Sequence, residues 1–129
     1  MNPPIEDIKD LIEAESSPVF TFGTDLFLDS QPSEPPTCIT LADTGGFAPD
    51  TNVDIRRPTI QVLSRAVAYT TAYSNLELIY DFLHALTNQT INSTRYISIF
   101  ALSDVLPLGL DKRGRILLSQ KYRIDRTTT

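Results

Sequence analysis

Few residues in this sequence are of the types that do chemistry, and their spacing decides what they are for. Asp43-Thr44-Gly45 is the tripeptide that carries the catalytic carboxylate of aspartic proteases. Retroviral-type members are short chains that dimerise so that two carboxylates share a proton. The supporting pattern is wrong here. Gly46 stands where that class has Ala or Ser, and Pro107-Leu108-Gly109 is a poor match for the later loop of two apolar residues and a glycine. A three-residue match arises by chance often. Asp50, Asn52 and Asp54 match the start of a calcium-binding loop. Its sixth position, normally Gly, is Ile55, and its twelfth, normally Glu, is Gln61. This run reads as a solvated loop whose Asp and Asn side chains make turns.

The remaining candidates are solitary. His84 is the single histidine and Cys38 the single cysteine, so no transition-metal site of familiar type can be assembled within one chain. His84 has no nucleophile in a recognisable setting and reads as a half-buried helix residue. Asn88-Gln89-Thr90 and Asn92-Ser93-Thr94 fit the glycosylation pattern but, with no secretory signal in view, read as a polar turn. No glycine-rich phosphate loop and no cofactor-binding pattern is present. The residues do not compose an enzyme active site.

Composition supports a folded domain with a modest core. The chain has 129 residues, 41% apolar and 21% charged, and no apolar run long enough to cross a membrane. Residues 1–54 carry eleven acidic and one basic side chain, a balance of −10; residues 55–129 carry five acidic and ten basic, a balance of +5. Folding can interleave the halves and cancel this polarity, or it can leave an acidic and a basic surface able to pair head to tail. A net charge of −5 argues against a dedicated DNA-binding domain.

These residues must be held by ordinary elements. Asn2-Pro3-Pro4 starts a short helix within residues 1–18, with Ile5, Ile8, Leu11 and Ile12 on one face. Val19 to Leu28, Thr37 to Asp43, Thr59 to Ala66, Arg95 to Asp104 and Arg115 to Asp125 read as five strands. Residues 44–58 read as a long loop, and Val105 to Gly114 as a long hairpin loop. The strongest element is a helix from Tyr69 to Asn88, with a broad stripe of Tyr69, Ala72, Tyr73, Leu76, Ile79, Tyr80, Leu83 and Leu86. Leu78 and Phe82 fall off that stripe, four residues apart, and read as a contact surface. The expected fold is one α+β domain over residues 1–129: a mostly antiparallel sheet of about five strands with both helices packed on it, and residues 127–129 frayed.

Taken in order, four blocks point further. They are Leu41 to Asp50 with its Asp-Thr-Gly-Gly loop, Pro58-Thr59-Ile60-Gln61-Val62, the helix with Tyr80-Asp81-Phe82-Leu83-His84, and Pro107-Leu108-Gly109 followed by Asp111 to Arg115. From Leu26 to Ile124 this order and spacing resemble the bacteriophage minor capsid proteins grouped with tail terminator, or tail completion, proteins. The resemblance implies a subunit of a ring, typically hexameric, at the head-tail junction of a virion. Such a ring caps the tail tube, stops its growth and presents a surface to the neck; a head-completion protein is the nearest alternative. The implied partners are other copies of the chain, the major tail tube protein and a head-completion or neck protein. DNA passes only as cargo, no membrane is involved, and assembly takes place in the host cytoplasm. On this reading Gly45 and Gly46 make a tight reversal that holds Phe47 outward, and Leu78 and Phe82 form a dry contact between neighbours. Arg56, Arg57, Asp111, Lys112, Arg113 and Arg115 make polar contacts with neighbours or the tube. The acidic half supplies one ring face or lines the channel, where a basic lining would hold phosphates.

Overall fold

The computed structural model describes residues 1–16, 20–49, 52 and 54–127. Helix α1 (Pro4–Ser16) is followed by β1 (Leu26–Leu28), β2 (Cys38–Phe47), β3 (Arg57–Ala66), helix α2 (Tyr69–Leu83), β4 (Leu86–Ile91), β5 (Thr94–Ala101), β6 (Leu106–Leu110) and β7 (Ile116–Thr127). The seven strands form a single mixed sheet in the order β1-β2-β3-β7-β5-β4, with β6 paired to β7. The α+β class holds. The sheet is larger than the five strands expected, and β1 runs parallel to β2.

Each difference has a local cause. Within Val19 to Leu28, Val19 lies outside the described residues. The chain from Thr21 to Asp25 is a turn around Gly23, where Thr21 N–H donates to the Asp25 carboxylate at 2.7 Å, so the strand itself is Leu26–Leu28, with Phe22 making an isolated bridge to Leu26. Helix α2 stops five residues before Asn88: Ala85 takes a positive φ of 62°, and Leu86 begins β4. Asn92 and Ser93, with φ of 49° and 66°, make a two-residue turn between β4 and β5. The 44–58 stretch is strand at both ends, because β2 continues to Phe47 and β3 starts at Arg57. The supposed hairpin loop contains β6. At the far end Thr127 is paired with Arg95 and buried; residues 128 and 129 lie outside the described residues.

One long strand organises the sheet. Along one edge β7 pairs with β3, from Ile116 to Arg123. Its other edge is shared: β5 takes Tyr122 to Thr127 and β6 takes Ile116 to Ser119. So β5 and β6 lie end to end. The bend between them is held by Leu102 N–H donating to the Lys121 carbonyl at 2.9 Å and by the Gln120 amide donating to the Ser103 carbonyl at 3.0 Å.

Both helices pack on the sheet and touch one another. From α1 come Ile5, Ile8 and Ile12, from α2 Ala72, Leu76, Ile79 and Leu83, and from the strands Ile39, Leu41, Ile60, Val62, Ile99, Leu118, Tyr122 and Ile124. A 13-residue helix is marginal alone, so burial of its three isoleucines, about 2 kcal/mol each, sustains α1. A buried polar knot fixes its first turn. Asp7 accepts from the Tyr96 hydroxyl and from the Asn92 amide, the latter at 2.8 Å. Arg126 donates to the Asn2 carbonyl at 2.7 Å. Burial first, then the hydrogen bond to Asp7 and its charge, push the Tyr96 hydroxyl far above the ordinary tyrosine range.

Candidate assembly surfaces

The Asp-Thr-Gly-Gly run lies inside strand β2, not in a catalytic loop. Asp43 pairs with Ile60, Gly46 with Pro58 and Phe47 with Arg57, and the register slips between Asp43 and Gly46. This is a bulge, and its glycines explain it. A Cβ on Gly46 would stand 2.5 Å from the Arg57 carbonyl oxygen and 2.6 Å from Pro58 Cα, so two backbones meet where only glycine fits. Gly45 has open space but a φ of +84°. Thr44 and Thr59 hydroxyls share a hydrogen bond of 2.6 Å across the strands. Asp43 is exposed in the strand. Thus Gly45 and Gly46 bulge a continuing strand instead of reversing it, and the bulge leaves Phe47 54% exposed.

Around Phe47 lies a groove of about 390 Å³, lined chiefly by Pro4, Gly45, Phe47, Pro49, Arg56 and Pro58. Charged side chains of both signs line it, Asp43 with Arg56, Arg57 and Arg126. Arg56 is exposed, and its backbone bridges to Arg126. Arg57 is half-buried with Nε 3.9 Å from Asp125 Oδ1, which also accepts from Arg123 Nε at 3.2 Å. The Arg123 guanidinium lies 5.3 Å from the Phe47 ring centre and 5.5 Å from that of Phe100, positions that favour cation–π attraction. The structure therefore gathers Gly45, Gly46, Phe47, Arg56 and Arg57 into one place.

The other predicted residues lie elsewhere. Leu78 and Phe82 are half-buried and packed against the subunit's own core. The Asp111 to Arg115 run folds back on the chain. Asp111 Oδ1 accepts from the amides of Arg113 at 2.9 Å and Arg115 at 2.8 Å, and Oδ2 accepts from Arg115 Nε at 2.7 Å. Arg115, 7% exposed, also donates to the Ser33 carbonyl at 2.8 Å. Arg113 pairs with Glu34. Buried Arg65 donates to the Pro35 carbonyl at 2.7 Å. Three arginines thus pin the proline-rich 31–36 segment onto the sheet. Burial works against the charged form of Asp111, but the Arg115 and Arg113 hydrogen bonds and the Arg115 charge outweigh it and hold the carboxyl below its ordinary range. Lys112 is exposed at the outside of this turn. The Glu34–Arg113 pair joins the acidic half of the sequence to the basic half, so folding interleaves them there.

The solitary residues have structural settings. His84 is an exposed cap of α2, not a half-buried residue within it. Its Nδ1 accepts the Ala101 amide at 3.1 Å, and its ring stacks on Tyr80 at 4.5 Å. Burial raises the pKa of the Cys38 thiol. Asn52 and Asp54 are exposed, and Asp50 lies outside the described residues. Among the described residues no three His, Cys, Asp or Glu side chains gather to hold a metal ion.

One surface escaped sequence reasoning. Every residue of β6 is exposed, and Leu106, Leu108 and Leu110 are 53%, 46% and 66% exposed. Leu102, in the bend before it, is 44% exposed. The available signal was alternation, leucine at every second position from Leu106 to Leu110, obscured by the proline and glycine between them.

Comparison with known proteins agrees with a structural role. No curated protein sequence matches the chain. A chain of the virion of a native gene transfer agent (GTA) particle shares its fold, with a TM-score of 0.61 at 16% identity over 93% of this chain and 84% of that one. The family model for bacteriophage tail terminator proteins matches residues 15–128. With nearly its whole length matched by that model, the chain belongs to the bacteriophage tail terminator family, structural proteins of the phage tail.

Proposed function

We propose that this chain closes into a ring, hexameric as the sequence resemblance implies, that caps the tail tube, stops its polymerisation and joins it to the head through a neck protein. The match to tail terminator proteins over residues 15–128 carries this reading. A ring requires each subunit to offer two different, mutually complementary surfaces. The Phe47 groove and the β6 edge are two such surfaces, unlike in shape and composition. On this reading the ring's faces meet the major tail tube protein on one side and a head-completion or neck protein on the other, and DNA passes through the centre as cargo.

Native mass spectrometry tests the ring. The expected spectrum holds one closed oligomer of about six subunits, with no ladder of larger species, because a closed head-to-tail ring leaves no free end. A species stopping at two subunits contradicts the ring and returns the question to the dimeric protease arrangement suggested by Asp43-Thr44-Gly45.

A further inference from the structure

We infer that the β6 edge of one subunit seats in the Phe47 groove of the next copy, with Asp104 of the first meeting Arg56 of the second. The inference rests on the ring reading and names the contact that would build it.

Position comes first. On β3 the groove lies at Arg57 and Pro58, and through β7 the β6 edge lies beside Ser64 to Ala66. At about 3.3 Å per residue the two ends of this strand are roughly 30 Å apart. A surface at each end of the sheet is the placement a head-to-tail contact needs; a two-fold contact would need one surface meeting itself.

Chemistry comes second. β6 is an edge strand, but its backbone is a poor template for strand addition. Pro107 has no N–H, and the register slips between Pro107 and Gly109, whose φ is +99°. What the edge offers is side chains. Three leucines in five residues, with Leu102 nearby, make an apolar ridge of a kind that isolated soluble chains rarely leave in water. The groove offers three prolines and Phe47, rigid apolar surface that loses little conformational entropy when covered.

Charge comes third and selects a second copy. Beside the ridge Asp104 is exposed, its carboxylate accepting from the Val105 amide at 2.7 Å. Exposed Glu77 lines the same pocket as Asp104 and Leu102, and both carboxylates act on the Tyr73 hydroxyl, whose pKa they raise. The groove answers with exposed Arg56. Asp104 beside the ridge against Arg56 in the groove, and Lys112 beyond Leu110 against the groove's exposed Asp43, give edge-to-groove pairing two contacts of opposite charge.

Cysteine variants at exposed positions test this, since Leu110→Cys and Phe47→Cys leave the core intact and Cys38 is buried. With a short bismaleimide linker, each variant alone should give no dimer. Mixed, they should give a two-subunit product and nothing larger. Both changes in one chain should give a ladder. Arg56→Glu and Asp104→Arg should each cut the mixed yield about tenfold, and together restore it. Crosslinking of Leu110→Cys to itself overturns the inference. So does an unlinked mixture when the wild type still shows a closed ring in native mass spectra; in that case the ring reading survives. A wild type with a single-subunit mass, and no crosslinks, removes the ring reading together with the contact. With tail tubes present, linkage of Leu110→Cys to the tube subunit alone assigns the ridge to the tube and overturns the pairing of copies.

Discussion

Arg115 and Arg56 both sit in short basic runs, yet one is 7% exposed and hydrogen-bonded to Asp111 and Ser33, and the other stands exposed at the rim of a groove. Sequence reading treats the two runs alike, as charge offered to partners. Folding separates them. Lys112-Arg113-Gly114-Arg115 follows β6 in a turn beside the proline-rich segment, whose carbonyls need donors, so Arg115 and Arg65 supply them. Arg56 precedes β3 at the sheet's other end, on the rim of the groove that Phe47 and three prolines line. A guanidinium engaged with internal carbonyls is unavailable to a neighbour, whereas one exposed on a groove rim is available. The 111–115 turn is a brace within the subunit, and the groove at Phe47 and Arg56 is the proposed joint.

The largest expected effect tests the brace. Arg65→Ala removes the donor to the Pro35 carbonyl inside the fold and should cost about 2–4 kcal/mol, read as a lower urea midpoint. Gly46→Ala comes next, at the joint. Its Cβ meets backbone on the facing strand, so the cost should be about 2 kcal/mol, with the strand ends around Phe47 losing amide protection in hydrogen exchange. Asp111→Asn should have a smaller effect that depends on pH. The folded carboxyl titrates below its ordinary range, so its contribution is present above that range and disappears as pH falls through the folded value. The stability gap between wild type and variant should therefore be constant near neutrality and close in acid. Smallest of all, Arg56→Ala should change the unfolding free energy from urea melts by less than about 0.5 kcal/mol while weakening association of copies. If Arg56→Ala unfolds the chain as Arg65→Ala does, the brace and the joint are not distinct.

Much of the fold was legible where periodicity is strong. The stripe from Ala72 to Leu83 and the runs of β3, β5 and β7 sit where their patterns place them. What escaped was local. Leu86 continues the helical stripe by spacing, so nothing in the pattern announces that Ala85 turns the chain out of α2 and that β4 follows. Pro107 and Gly109 argue against a strand by propensity, yet an edge strand with one free side tolerates both. The groove was half legible. Phe47 and the arginines were picked out, but that Pro4, Pro49 and Pro58 meet beside them depends on contacts between α1 and the sheet that no local pattern encodes. The Asp7, Tyr96 and Asn92 knot joins residues 85 to 89 apart in sequence and was invisible for the same reason.

The proposed function is that this chain ends tail growth. Its most direct test is the length distribution, by negative-stain electron microscopy, of tubes assembled from the same phage's major tail protein with and without the chain. The account predicts that adding the chain in molar excess to growing tubes halts elongation and leaves density at one tube end. Tubes that keep growing at an unchanged rate, with both ends bare, would contradict it.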